Sequence, residues 1–175
     1  MQHPLDKFKY CPKCGSDKFV VNNFKSKHCH KCGFTYYFNS SAATVAIIIN
    51  ENNELLVATR AKEPAKGTYD LPGGFVDMYE TGEEAIAREV KEETHLEVSG
   101  VQYLFSIPNI YNYSDFEVHT LDLVYRCQVD NIDSLKAEDD VAKLEFKKIE
   151  DLNPEDFGLM SIKKIIKSIQ QKVKV

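Results

Sequence analysis

The sequence predicts an α/β or α+β sandwich with a small cysteine-rich module ahead of it, and three observations carry that expectation. Strand-like runs alternate with two helical patterns after residue 40. Two Cys-x-x-Cys pairs fall within the first 38 residues. The chain's 175 residues hold one domain of roughly 150 residues and leave room only for a short appendage.

The elements follow in order. Phe19-Val20-Val21 and Phe24 read as a short hairpin inside the cysteine module. Ala42–Ile49 is a strand, Glu51-Asn52-Asn53-Glu54 a turn, and Leu55–Thr59 a second strand. Residues 61–74, rich in Pro, Gly and charge, form a loop with a short strand near Tyr69-Asp70-Leu71. A helix runs from Gly82 to Thr94, begun by Thr81 and Glu84 as a capping box. Val98–Ser106, Val118–Val129 and Val141–Lys147 alternate as strands. Apolar residues at 162, 165, 166 and 169 give Ile162–Val173 helical spacing. No internal repeat interrupts the series.

Composition limits the function classes. Hydrophobic residues make up 43% of the chain, which excludes disorder as the main state. The longest apolar run, Ala42–Ile49, is broken by Thr44 and is far too short to span a bilayer. Met1–Lys7 lacks an apolar signal-peptide core, so the expected address is the cytoplasm, without a membrane partner. The net charge of −5 disfavours a protein that coats nucleic acid. That charge is split: residues 1–38 carry +5 and the remainder −10, as two modules would.

Within residues 1–38, taken as the first domain, Cys11-Pro-Lys-Cys14 and Cys29-His-Lys-Cys32 are separated by fourteen residues, and Gly15 and Gly33 follow the pairs. The two-residue gap turns both thiolates of a pair toward one ion, and the glycine relaxes the tight turn behind it. So short a module buries too little surface to fold alone, and a structural Zn²⁺ on the four cysteines supplies the difference. Disulfides and a redox pair are the competing readings, weakened by the absent secretion signal and the paired motifs. His28 and His30 are bystanders, and Cys127 is a core thiol.

The 82–94 helix concentrates charge. Glu89, Glu92 and Glu93 fall within an arc of about 100°. Each like-charged pair costs about 0.2–0.5 kcal/mol in an isolated helix. A solvated acidic face and a hard divalent cation are the two accounts of that patch, and the residues before the helix decide between them. Pro72-Gly73-Gly74 permits close backbone approach to a ligand, and Glu80 adds a fourth carboxylate.

Together these residues read Gly74-x5-Glu80-x7-Arg88-Glu89-Val90-x-Glu92-Glu93-x-x-Leu96. The segment resembles the Nudix box, G-x5-E-x7-R-E-U-x-E-E-x-G-U with U aliphatic. A chance match of six fixed residue types is on the order of one in ten million per starting position. His95 replaces the last box glycine, a departure read as local strain at a helix C-terminus. Residues from Arg60 to Gly74 also look like the approach to the box, and the resemblance extends from residue 42 to about residue 152.

The resemblance implies a Nudix-type α/β/α sandwich with a mixed sheet over residues 39–175, preceded by the zinc ribbon. It implies a pyrophosphohydrolase, MutT-like, cleaving a nucleoside diphosphate linked to another moiety with Mg²⁺ or Mn²⁺. Glu89, Glu92 and Glu93 are then the metal ligands, with a carbonyl of Gly73 or Gly74 assisting, and Glu80 and Arg88 support them. Glu89, Glu93 and the later-loop Glu138 are the candidate catalytic acids. Arg60, Gly73, Gly74, Tyr111, Tyr113 and Phe116 are candidate substrate contacts; a rim salt bridge is an equal reading for Arg60, and packing on the sheet is an equal reading to base stacking for the three aromatics.

A ribbon ahead of such a domain is similar to the NADH pyrophosphatase branch. Ser106–Ser114 keeps only the first Ser and Pro of that branch's S-Q-P-x-P-x-P-x-S, so NADH specificity does not follow. The substrate class is NADH, ADP-ribose or a nucleotide sugar; RNA cap removal and a non-catalytic nucleotide sensor are the alternatives, and the family resemblance suggests a homodimer.

Overall fold

The structure, a computed structural model, describes residues 3–173, with the side chains of Tyr111, Lys172 and Val173 outside the described set. The chain divides into two compact units, Met1–Ser40 and Ser41–Val175. In the first, β1 (Phe19–Asn23), β2 (Ser26–Cys29) and β3 (Thr35–Tyr37) form an antiparallel meander. Among the described residues its buried apolar side chains are Leu5, Cys11, Phe19 and Cys29, with Cys32 and Phe34 packed against the last three.

The second unit contains two three-stranded sheets. β4 (Ser41–Ile47), β8 (Phe116–Val129) and β7 (Val98–Tyr113) lie in the order β4-β8-β7, with β4 parallel to β8 and β7 antiparallel to it. β6 (Tyr69–Asp70), β5 (Glu54–Arg60) and β9 (Val141–Lys148) form the antiparallel second sheet. The β4 end and β5 meet through Leu56 N–H to Ile48 O at 2.9 Å. α1 (Gly82–Thr94) and α2 (Met160–Val173) complete the unit.

Alternation along the strands produces two cores. Val45, Leu55, Val57 and Val124 face one side and pack with Ile162, Ile165 and Ile166 of α2. Ala46, Ile48, Leu56 and Tyr125 face the other and pack with Ile86 and Val90 of α1. The result is the expected α/β/α sandwich with a mixed sheet. Among the described residues no helix is long and apolar enough to cross a membrane.

One element is longer than expected. β7 continues past Ser106, through Pro108, to Tyr113. Pro108 is tolerated because β7 is the edge of its sheet. Ser114 and Asp115, both at positive φ, make the two-residue turn into β8. The stretch holding Tyr111 and Tyr113 is therefore strand.

α1 begins and ends where its caps dictate. Thr81 Oγ1 accepts from Glu84 N–H at 3.2 Å while Glu84 Oε2 accepts from Thr81 N–H at 2.8 Å. His95 closes the helix in the left-handed region at φ 63°. Thr81→Ala is expected to lower stability by about 1 kcal/mol. A denaturant titration with the same midpoint and slope as wild type would show that the cap contributes nothing.

Candidate active site

The site starts at Gly73 and Gly74. Segment 72–76 runs alongside β4: Ala46 N–H donates to Pro72 O and Thr44 N–H to Gly74 O, both at 2.7 Å. A Cβ on Gly73 would lie 2.1 Å from Thr44 O, and Gly73 sits at φ +148°. A Cβ on Gly74 would lie 2.5 Å from Glu89 Oε1. Only glycine lets the backbone pass between β4 and the α1 carboxylates.

On the helix side, Glu93 is 9% exposed and accepts the Gly73 N–H at 2.9 Å. Burial pushes its carboxyl up to about 8, against the Gly73 N–H; nearby Asp70, Glu89 and Asp139 add to the rise. No ion pair reaches Glu93 among the described residues. Glu89 is half-buried, and desolvation raises its carboxyl despite Arg88. Glu92 is half exposed.

Arg88 organises this cluster. It donates to both oxygens of Glu80 at 2.9 Å, to Glu89 at 2.8 Å, to Glu92 at 3.1 Å and to Phe75 O at 3.0 Å. Hydrogen bonds from Arg88 and from Asp77 N–H hold the Glu80 carboxyl down at about 2. Arg88 thus draws Glu89 and Glu92 to its side while Glu93 turns to Gly73. Carboxylate oxygens are the hard donors that Mg²⁺ or Mn²⁺ takes, but among the described residues those of Glu89, Glu92 and Glu93 do not all come within 4.8 Å of one another.

A cavity of about 240 Å³ opens beside Glu93, Gly73 and Gly74 and reaches Asn109 and Asp122 on β7 and β8. Arg60 and Tyr113 also line it. Arg60 is already engaged: its guanidinium pairs with Asp70 and donates to Pro64 O at 2.7 Å. Phe116, opposite Tyr113, lies at the hairpin end and is not among the cavity-lining residues. The Tyr111 side chain lies outside the described residues.

Glu138 is held apart from the cavity lining. Its carboxylate pairs with Lys136 and with His95 Nδ1 at 3.1 Å, and Lys136 foremost keeps it below the usual range. Its N–H nevertheless docks on Glu93 O at 3.1 Å, so this loop closes on the end of α1. Sequence reasoning missed Asp70, Asn109, Thr120 and Asp122. Their signal was faint: polar residues at positions where an alternating strand faces inward.

In the first unit the sulfurs of Cys11, Cys14, Cys29 and Cys32 all lie within 4.8 Å of one another. Cys11–Cys32 and Cys14–Cys29 are each separated by 3.7 Å. Four sulfurs about 2.3 Å from a central Zn²⁺ would stand about 3.8 Å apart in a tetrahedron, so the fit is close. Gly15 and Gly33 have φ of +69° and +73°, as the knuckle turns require. Burial raises the Cys29 thiol, but backbone N–H groups of Cys32 and Lys31 prevail and bring it down to about 6. His28 bonds Thr35 Oγ1 at 2.8 Å and is outside the cluster. Cys127 is buried in the second unit, its thiol pushed up to about 12 by burial alone.

Relatives bear on this geometry. The NAD-capped RNA hydrolase NudC of Vibrio parahaemolyticus is 30% identical over 106 residues, covering 61% of this chain and 40% of that protein. The ADP-ribose pyrophosphatase of Methanocaldococcus jannaschii is 39% identical over 107 residues, 60% of each chain. The chain thus spans less than two thirds of either relative's length. Among solved structures, a NUDIX hydrolase from Nitrosomonas europaea matches with a TM-score of 0.69 at 21% identity, covering 89% of this chain and 86% of that one. The NUDIX domain of Shewanella oneidensis NrtR, crystallised with ADP ribose, matches at 0.58 and 17% identity, covering 78% and 90%. These two show a shared fold. The model of the NUDIX domain matches residues 39–167, most of the chain, and the protein belongs to the NUDIX family.

Proposed function

We propose that the protein is a pyrophosphohydrolase that uses Mg²⁺ or Mn²⁺ to cleave a nucleoside diphosphate linked to another moiety, of the ADP-ribose or NADH class. The observation that carries the reading is Glu93, a buried carboxylate facing a glycine turn and paired with no Lys, Arg or His among the described residues. The named activities of the NudC and ADP-ribose pyrophosphatase relatives both act on such a linkage and support it.

In this reading Glu89, Glu92 and Glu93 hold the ion. Gly73 O is the better backbone helper, because Gly74 O already accepts from Thr44. A bound divalent ion neutralises the diphosphate and activates water. Arg88 spaces the glutamates, and Glu80 spaces Arg88. Among the acids considered for accepting the water's proton, Glu93 is turned to Gly73, and Glu138 is made a weaker base by Lys136 and His95. Glu89, half-buried with its carboxyl raised by desolvation, is the remaining acid of the three, and we assign it that role. Tyr113 and Phe75 stand at the cavity as aromatic contacts. Arg60, engaged through Nη1 with Asp70 and through Nε with Pro64 O, offers a phosphate its Nη2.

For the first unit we propose a structural Zn²⁺ on Cys11, Cys14, Cys29 and Cys32, held in a reducing compartment such as the cytoplasm. RNA carrying a pyrophosphate-linked cap is a second reading, favoured by the NudC relatives. Steep salt dependence of RNA affinity would distinguish it.

Three outcomes follow. Glu93→Gln is expected to cut turnover of ADP-ribose or NADH by roughly a hundredfold or more while the fold survives; wild-type turnover would refute the ligand assignment. In EDTA, the raised Glu93 carboxyl contributes stability that is full below the usual value of 4.5 and is lost as pH rises through about 8. Glu93→Gln should therefore flatten the loss of stability between about pH 5 and pH 9, measured by denaturant titration. Elemental analysis of reduced protein should find about one zinc per chain, with Cys11→Ser losing it; zinc-free folded protein would end that assignment.

A further inference from the structure

Part of the cavity lining is polar where the sheet pattern calls for core. On β8, Thr120, Asp122 and Val124 project to one face, and their β7 partners are Asn109, Ile107 and Phe105. Val124 and Phe105 join the α2-side core. Two residues earlier the same face carries a carboxylate, and its neighbours an amide and a hydroxyl. Thr120, Asp122 and Asn109 are 3%, 5% and 7% exposed, and all three line the cavity.

These groups are incompletely satisfied. Thr120 Oγ1 donates to Asp122 Oδ1 at 2.5 Å. Among the described residues no Lys, Arg or His pairs with Asp122; Arg60, which shares the cavity, is paired with Asp70. Asn109 Oδ1 is buried without a hydrogen-bond partner. A half-turn of the amide exchanges that oxygen with its NH₂, so either end can be offered to a ligand. Buried polar groups of this kind normally find partners. A carboxylate and an amide left over on a cavity floor mark a place for hydrogen-bond donors brought by a ligand.

The charge excludes phosphate. Asp122 adds to Asp70 and Asp140 along the cavity; Arg60 offsets Asp70 and Lys62 offsets Asp140, which leaves Asp122 without a paired cation among the described residues. A diphosphate stays at the glutamate end, and the floor takes the uncharged part of the substrate. A carboxylate accepts two adjacent O–H groups at once, and the amide adds a third contact. The adenine edge suits it less, because its ring nitrogens are acceptors and would oppose Asp122.

We propose that Asn109, Thr120 and Asp122 are a sugar-reading subsite that binds the vicinal hydroxyls of a ribose in the substrate. The proposal rests on the pyrophosphohydrolase reading for its substrate class and goes beyond it in assigning specificity. The test is calorimetric binding of ADP-ribose to the full chain, with Mg²⁺ and separately with EDTA. Analogues lacking the 2′- and 3′-hydroxyls of one ribose or the other are compared. One of the two is expected to bind about 10- to 100-fold more weakly than ADP-ribose. In Asp122→Asn and Asn109→Ala, ADP-ribose should weaken toward that analogue, so that the discrimination disappears. Thermal melting identifies a variant that does not fold, and the other then decides. If all ligands bind wild type alike, or the variants keep the discrimination, the subsite is wrong while the enzyme reading stands. A GDP-linked sugar preferred over its ADP counterpart, with the hydroxyls irrelevant, likewise overturns it in favour of a base-edge reader. If neither ADP-ribose nor its analogues bind under either condition, the substrate class fails and the subsite with it.

Discussion

A carboxylate taken out of water without a counter-ion is the constraint around which the second unit is arranged. Glu93 lies nine-tenths buried between α1 and the Gly73-Gly74 turn, and its one hydrogen bond to the turn offsets only part of the desolvation. The turn approaches because neither glycine has a side chain: one passes against Thr44 O, the other against the Glu89 carboxylate. The strand β4 fixes the turn by backbone hydrogen bonds, and the α1 cap fixes the helix. Sheet, turn and helix therefore agree on one position for one charged group, as expected where stability is given up for chemistry.

Around that group, charges are held apart and not merely tolerated. Arg88 binds Glu80 through two parallel contacts and reaches Glu89 and Glu92 with its remaining donors. The planar, five-donor guanidinium is what permits this, and a lysine would not reproduce it. Glu138 and His95 form a separate contact at the helix end, where the left-handed His95 replaces a glycine and gains a partner. The two units solve different problems. The first has too small an apolar interior to stand alone and gathers four sulfurs; the second has two full cores and uses its polar residues in a cavity.

Much of this was legible beforehand because it rests on local rules. The α1 limits, Gly82 and Thr94, follow from a capping box and a terminating residue within one segment. The alternation in β4 and β5 identifies two buried faces without any knowledge of their partners. The cysteine pairs state their own geometry through two-residue gaps and trailing glycines. Less was legible where a residue's meaning depends on what crosses over it. The expected strand stopped at Ser106, and its continuation through Pro108 to Tyr113 depends on β7 lying at the sheet edge, where a missing N–H is tolerated. A phosphate contact and a salt bridge were equal readings for Arg60 until the β5–β6 pairing placed Asp70, ten residues away, beside it.

Spacing within a short stretch of backbone was enough for most of the elements, the acidic helix face, the glycine turn and the two cysteine pairs. Tertiary structure alone decided which carboxylate is buried, which arginine is occupied, and that Asn109, Thr120 and Asp122 share one cavity floor. Those outcomes depend on strand register and sheet order, which bring residues distant in the chain within a few ångströms. Desolvation then sets the character of each group, and it is a property of everything packed around a side chain, not of the residues beside it in sequence.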